Sequence, residues 1–177
     1  MRIVAGKYRG KILFPPKDKT IRPTTDKVKQ ALFTKLQFDI QDAVVLDLFT
    51  GSGALGVEAL SRGASKVYFV DKSKINLSIA KKNVESLNES GVFLCCDYEK
   101  ALLSLKEKFD LIILDPPYAS DYYERALELI YKNNLLKENG IIVCEHDNTV
   151  SISQTYFEIF DNKRYGDIHL TYLQIKE

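Results

Sequence analysis

Histidine and cysteine are scarce in this chain of 177 residues, with two of the first and three of the second. His146 and His169 are too few and too isolated in the sequence to suggest a metal site, so neither a zinc centre nor a Ser/His/Asp arrangement finds support and no metal is expected. Cys95, Cys96 and Cys144 show no metal-ligand spacing, and they read as reduced, buried small apolar residues. Long apolar runs are missing as well: none approaches the roughly 20 residues that cross a bilayer, which argues against a membrane protein. The opening Met1-Arg2-Ile3-Val4-Ala5-Gly6-Lys7 lacks a secretory apolar region and cleavage site, so the cytoplasm is the expected location.

What the chain has is the content of a soluble globular domain, 45% hydrophobic and 28% charged, with the length of one ordinary domain. Its net charge of +1 conceals an asymmetry. Nine basic residues against two acids give the first thirty residues +7, and sixteen against twenty-two give the remainder −6. Clustered positive charge of this kind is the electrostatic footprint of nucleic-acid binding, and Arg2, Lys7, Arg9, Lys11 and Arg22 are its candidate contacts; a plain solvated surface is the alternative.

Residues 1–22 read as an N-terminal extension: an alternating stretch around Gly6-Lys7-Tyr8-Arg9-Gly10 suggests a β-hairpin with a basic tip, ended by Pro15-Pro16. Residues 23–177 read as the main domain. Thr24 or Thr25 can cap a helix carrying Val28, Ala31, Leu32 and Leu36 at helical spacing. From residue 43, buried strands alternate with amphipathic helices, the mark of βαβ units and a parallel sheet. The expected strands are Val44–Leu46, Val67–Val70, Val92–Cys95, Phe109–Leu114 and Ile141–Cys144. The helix after the second strand would bury Ile75, Ile79, Ala80, Val84 and Leu87. A closing antiparallel hairpin, 156–160 and 168–173, turns through 162–167. The fold class is therefore α/β, mostly parallel, with an antiparallel C-terminal hairpin.

Asp115-Pro116-Pro117-Tyr118 follows the fourth strand and carries the most distinctive chemistry. Proline has no backbone N–H, so two in succession leave a turn rich in acceptors and poor in donors. Beside the Asp115 carboxylate, such a turn suits a planar NH2 group, and Tyr118 can stack on the ring that bears it.

Gly51-Ser52-Gly53-Ala54-Leu55-Gly56 fits GxGxxG between a strand and a helix, with Asp71 twenty residues past Gly51 where an acid can bind a ribose. That pattern alone does not separate a nicotinamide dinucleotide from S-adenosylmethionine. Asp47 separates them. It ends the first strand close to whatever the loop holds, and against a pyrophosphate two like charges about 5 Å apart repel by roughly 3 kcal/mol at an effective dielectric of about 20. S-adenosylmethionine brings an α-ammonium for Asp47 and a carboxylate for the helix N-terminus near Gly53. Asp97 follows the third strand and could accept from the adenine amine. Asp47, Asp71, Asp97 and Asp115 thus line one edge of the sheet.

Arg22-Pro23-Thr24-Thr25-Asp26 leading into Ala31-Leu32-Phe33, Asp47 to Gly56 with Glu58-Ala59-Leu60-Ser61-Arg62-Gly63-Ala64, and Leu114-Asp115-Pro116-Pro117-Tyr118 resemble the RsmD family of ribosomal RNA methyltransferases over nearly the whole chain. The resemblance implies a Rossmann-like class I methyltransferase sheet dependent on S-adenosylmethionine, acting on a guanine N2 in 16S rRNA or the assembled small ribosomal subunit, as a monomer. It would place Asp47, Gly51 and Gly53 around the methionine part, Asp71 at the ribose, Asp97 at the adenine, and Asp115, Pro116, Pro117 and Tyr118 at the guanine, with Thr24 near the cofactor carboxylate. Thr50 stands where Ala is usual and Asp71 where Glu is common.

Other readings stay open on the residues alone. DNA adenine N6 or another amino group would satisfy the same turn. An NAD-dependent oxidoreductase shares the glycines but is opposed by Asp47. A non-enzymatic RNA-binding protein would use the basic N-terminus and leave Asp115 dispensable.

Overall fold

A computed structural model of the protein describes residues 1–19, 23–117 and 121–177. Its strands are β1 (Val44–Asp47), β2 (Lys66–Asp71), β3 (Val92–Cys95), β4 (Phe109–Leu114), β5 (Leu136–Asp147), β6 (Phe157–Tyr165) and β7 (Ile168–Ile175). They form one sheet in the order β3-β2-β1-β4-β5-β7-β6. The first five are parallel and the last two antiparallel, as expected from the sequence. Five helices accompany them among the described residues: α1 (Asp26–Lys35), α2 (Ala54–Ser61), α3 (Lys74–Glu85), α4 (Tyr98–Ser104) and α5 (Asp121–Lys132).

The central strands are apolar runs because both faces of the sheet are covered. Alternate residues go to opposite sides. Val45, Phe69, Ile113 and Val143 join a core with residues of α1, α2, α3 and the N-terminal segment. Leu46, Val70, Ile112 and Cys144 join a second core with α4 and α5. The chain leaves β1 toward β2 and β3 on one side and returns through β4 to β5 on the other. The crevice between the ends of β1 and β4 is thus the topological switch point, where open α/β sheets receive ligands.

Four local expectations change, and the N-terminal hairpin is not among them: the arms of residues 1–14 are joined by the antiparallel bridge of Arg2 with Ile12 and by the Ile3 N–H to the Lys11 carbonyl, the Leu13 N–H to the Met1 carbonyl and the Gly10 N–H to the Ile3 carbonyl, each at 2.9 Å. Between the arms the chain is fastened to α2: Val4 and Ala5 N–H groups donate to Glu58, and Lys7 N–H to the Ser61 carbonyl at 2.7 Å. Gly6 permits this with φ of 87°, since a Cβ there would lie 2.0 Å from the Ser61 oxygen. In α3, Ile75 is exposed and Leu77 is buried instead, because the buried face is centred on Ala80 and Val84 and Ile75 falls outside it. Cys144 is buried as expected, but Cys95 is exposed and Cys96 half-buried, since β3 is an edge strand. The C-terminal hairpin is longer, with Asn162 to Tyr165 still paired to β7, so the turn is only Gly166-Asp167. The two histidines are not isolated in space: they pair across β5 and β7, their rings stacked 5.2 Å apart.

Candidate functional site

Strand register brings the acids together. Asp47 pairs with Phe69 and with Ile113, Asp71 lies two residues past Phe69, and Asp115 lies two past Ile113. Asp71 pairs with Cys95, two before Asp97. With a side-chain period of two, Asp47, Asp71, Asp97 and Asp115 share one side of the sheet at its carboxyl edge. All four line a single cleft with Thr24, Gly51, Phe49, Tyr98, Tyr122 and Pro117.

Asp47 is 2% exposed. One of its oxygens accepts from the Thr50 hydroxyl at 2.7 Å and from the Gly56 N–H at 3.0 Å, so it ties β1 to the glycine loop and to α2. Burial pushes its carboxyl up to about 6, with Thr50 and Gly56 opposing and Asp71 adding to the rise. The three loop glycines have separate tasks. Gly51 has φ of 55° and nothing within 4 Å of where a Cβ would stand, so its surface is left open to the cleft. Gly53 lies outside the cleft lining. Its φ is 86° and a Cβ would come 2.9 Å from that of Ala80, so it lets α2 pack on α3. Its N–H donates to the Thr50 carbonyl at 2.8 Å. A Cβ on Gly56 would strike the Phe69 ring at 2.4 Å.

Asp71 binds the loop itself. Its oxygens accept from the Gly51 N–H at 2.9 Å and the Ser73 N–H at 2.8 Å, and each keeps a lone pair for a ligand hydroxyl. Asp97 is exposed and caps α4 through the Glu99 N–H at 2.9 Å, which leaves its second oxygen free of that cap. Phe49, Tyr98 and Tyr122 meet at ring separations of 5.3 to 5.7 Å and give this end of the cleft an aromatic wall.

Asp115 is half-buried, Pro116 buried and Pro117 exposed at the rim. Burial, then Glu145, then Asp47 drive the Asp115 carboxyl well above the usual range, while Thr24 opposes. Thr25 is the cap of α1, accepting from the Val28 N–H at 3.3 Å. Thr24 is thereby released to face the site, and its hydroxyl donates to Glu145 Oε2 at 3.3 Å.

The donor set suits a ligand with a cationic end, a ribose and a flat ring. Carboxylates stand where positive charge and hydroxyls would fall, and the open surface of Gly51 is a space that any side chain would fill.

Of the basic residues, Arg2 is exposed and pairs with Asp26 at 2.8 Å, and Lys11 donates to the Ser86 carbonyl at 2.7 Å. Lys7 lies over the Tyr8 ring and Arg9 is exposed. Arg22 and Tyr118 lie outside the described residues. Met1, Pro16 and Pro23 line the cleft, so the basic segment borders its mouth. Glu58, fully buried, fastens that segment: it also pairs with Arg62 at 3.0 Å and with the buried Lys29 at 3.8 Å.

The family model described as Conserved hypothetical protein 95 matches residues 1–174. The Haemophilus influenzae Ribosomal RNA small subunit methyltransferase D is 39% identical over 82% of this chain and 78% of its own length. The Escherichia coli protein of the same name is 32% identical over 83% and 75%. The chain belongs to the RsmD family. Among solved structures, the Escherichia coli protein yhhF superposes with a TM-score of 0.90 at 28% identity, covering 99% of this chain and 98% of that one. A T. thermophilus 16S rRNA N2 G methyltransferase, in complex with AdoMet and guanosine, shares the fold at TM-score 0.67 and 18% identity, over 86% of this chain and 44% of that one. The architecture of this RsmD-family chain is thus the Rossmann-like class I methyltransferase sheet with antiparallel C-terminal strands.

Two features of the RsmD-family site go beyond what the sequence led us to expect. Glu145 follows the apolar run of the fifth strand, two residues before the strand ends, a signal carried by Cys144-Glu145. Glu58 has no such signal, because an acid inside an amphipathic helix reads as solvent-facing.

Proposed function

We propose that the protein transfers a methyl group from S-adenosylmethionine to the exocyclic N2 amine of a guanine in 16S rRNA of the small ribosomal subunit, acting as a single chain in the cytoplasm. The observation that carries this reading is the pair of carboxylates, Asp47 and Asp115, facing one cleft on either side of the switch point beside an open glycine loop. S-adenosylmethionine supplies a methyl group on a cationic sulfur, already electrophilic without acid assistance.

The chain's own residues bind and aim. Asp47 receives the α-ammonium directly or through water, and the Gly51 surface admits the methionine part. Asp71 accepts from the ribose hydroxyls, and Asp97 from the adenine amine. Asp115 and the Pro116 carbonyl accept the hydrogens of the target amine and turn its lone pair toward the methyl carbon. Most of the rate gain then comes from alignment. A cation within a few ångströms favours the ionised form of Asp115, which is the form that accepts. In this reading Pro117 shapes the rim and Tyr118 stacks on the guanine. The basic N-terminus draws the RNA backbone to the mouth of the cleft.

Labelled S-adenosylmethionine with small subunits or their RNA tests the reaction: label is expected at guanine N2. Absence of label there, with cofactor binding verified, would sink the proposal.

Cofactor affinity is expected to depend on the charge of Asp47. Its carboxyl titrates near 6, so the cofactor-free protein gains stability from this group as pH falls from about 6 toward the unfolded carboxylate range, about 3.9. Binding of the α-ammonium needs the ionised form and should weaken by up to about tenfold per pH unit below 6. Titration calorimetry with S-adenosylmethionine between pH 5 and 8 reads this directly; flat affinity would remove Asp47 from the ammonium.

Reversing charge at two exposed residues, Lys7→Glu with Arg9→Glu, is expected to weaken RNA binding at low salt by about tenfold or more. The slope of log affinity against log salt should fall by about one for each phosphate no longer neutralised. An unchanged slope in filter binding would place the RNA elsewhere.

A further inference from the structure

The N-terminal hairpin turns one face to the core and the other to solvent. Ile3 and Leu13, on the inner face, are 1% and 2% exposed. Arg2 and Ile12 stand directly opposite each other between the Ile3–Lys11 and Met1–Leu13 hydrogen bonds, so their side chains lie together on the outer face. Phe14, two residues past Ile12, continues that face. An antiparallel ribbon normally carries polar residues on its solvated side, yet Ile12 is 71% and Phe14 55% exposed. One exposed apolar side chain is ordinary, whereas adjoining ones rimmed by charge mark an interaction surface. The rim is cationic: Arg2 and Arg9 line a small notch of the hairpin with Gly10, and Lys11 and Lys17 are exposed on either side of Phe14 in the sequence. Arg2 also holds an exposed ion pair with Asp26, of a kind that is worth little in water and exchanges readily.

The Phe14 backbone is pinned. Its N–H donates to Asn83 Oδ1 at 2.7 Å and its carbonyl accepts from Asn83 Nδ2 at 3.1 Å. Asn83 is fully buried in α3, and the same Nδ2 donates to the Ser52 carbonyl of the glycine loop at 2.9 Å. One buried amide thus fixes Phe14 against the loop beside the cleft. Pro16, two residues on and at most about 7 Å along the chain, lines the cleft itself.

We infer that this outer face, Phe14 and Ile12 beside Arg2 and Arg9, is a stacking surface for an unpaired nucleotide of the RNA next to the one that enters the cleft. The cations take phosphate and the Phe14 ring takes the flat face of a base, the combination that holds single strands without reading their sequence. A base seated there is held in a fixed place relative to the glycine loop and steadies its neighbour in the cleft. This rests on the reading of the cleft as the seat of a guanine in RNA.

Fluorescence anisotropy of the full chain with oligouridylate, alone and annealed to oligoadenylate, tests the surface. Phe14→Ala should weaken binding of the single strand by about fivefold or more. The slope of log affinity against log salt should not change, since no phosphate contact is lost. Phe14→Tyr should bind as wild type does, and Phe14→Leu, apolar but without a ring, should bind as Phe14→Ala does. The duplex, whose base faces are covered, should bind all four proteins alike. Melting temperature should hold across the variants, because the bonds to Asn83 come from the backbone of residue 14. If Phe14→Leu equals wild type, or the duplex loses as much affinity as the single strand, the face is no stacking surface and the inference falls. It falls as well if wild type sediments as a dimer and Phe14→Ala as a monomer, for the face then joins two copies. Methylation by wild type separates this from the reaction. Label at guanine N2 of small-subunit RNA, with oligouridylate binding untouched by Phe14→Ala, removes the stacking surface alone; absence of that label removes the reaction on which it rests.

Discussion

Replacing Asp115 with alanine is expected to lower kcat by about a hundredfold to a thousandfold, with the S-adenosylmethionine dissociation constant changed by less than about threefold. The separation follows from where the residue sits. Asp115 follows β4 across the crevice from Asp47, and the contacts that hold the glycine loop come from Asp47 and Asp71. An amine whose hydrogens are not held presents its lone pair in many directions, and misalignment costs rate rather than cofactor affinity. Asp115→Asn should be nearly as inactive, because its NH2 faces the amine with a donor where an acceptor is needed. Single-turnover methylation of small-subunit RNA and calorimetric cofactor titration read the two quantities independently. Equal loss in both would mean that Asp115 supports the cofactor site and not the amine.

Glu58→Leu is expected to be the most destabilising single change away from the cleft, at about 3–5 kcal/mol, with a fall in melting temperature on the order of 10 °C. Glu58 is fully buried and accepts from the Val4 and Ala5 N–H groups and from Arg62. Without it, Lys29, itself 1% exposed, loses its buried counter-charge and, among the described residues, keeps the Arg2 carbonyl at 2.5 Å. Burial already lowers the Lys29 ammonium below its usual range, and Glu58 opposes that. The pair Glu58→Leu with Lys29→Met should recover part of the loss, since an apolar replacement of both partners is often close to neutral. Recovery stays incomplete because the two N-terminal amides remain unsatisfied. Scanning calorimetry of the three variants checks this; a double variant no more stable than Glu58→Leu would show that the amides, and not the ion pair, carry the effect. RNA methylation should fall further than cofactor binding, because the basic segment is what Glu58 fastens.

Strand and helix order is legible because the chemistry is local. The runs Val44-Val45-Leu46 and Leu111 to Leu114 are apolar throughout, as strands covered on both faces must be. The acid after each of the first four strands can be read one by one, as can the glycine spacing. That spacing assigns Gly53 to the cofactor, whereas its position is set by Ala80, twenty-seven residues on, and by a positive φ. Residues 1–14 alternate like a hairpin and pair as one, but the amides of Val4, Ala5 and Lys7 are taken by α2, a partner that no local pattern names. Cys96 and Ile75 depart from expectation for a related reason: burial depends on which strand is an edge and where a helix face is centred, and both are decided by neighbours.

By itself the sequence determined the α/β order, the parallel sheet, the acids at the strand ends, the acceptor-rich turn at Asp115 and the basic N-terminus, because each rests on residue type and short spacing. Only the tertiary structure decided that Asp47, Asp71, Asp97, Asp115 and Glu145 share one side of the sheet edge, that Thr24 donates to Glu145, and that Glu58 holds the basic segment at the cleft. Those facts depend on strand register and on contacts between residues far apart in the chain, where burial sets the charge of each group and no local spacing encodes it.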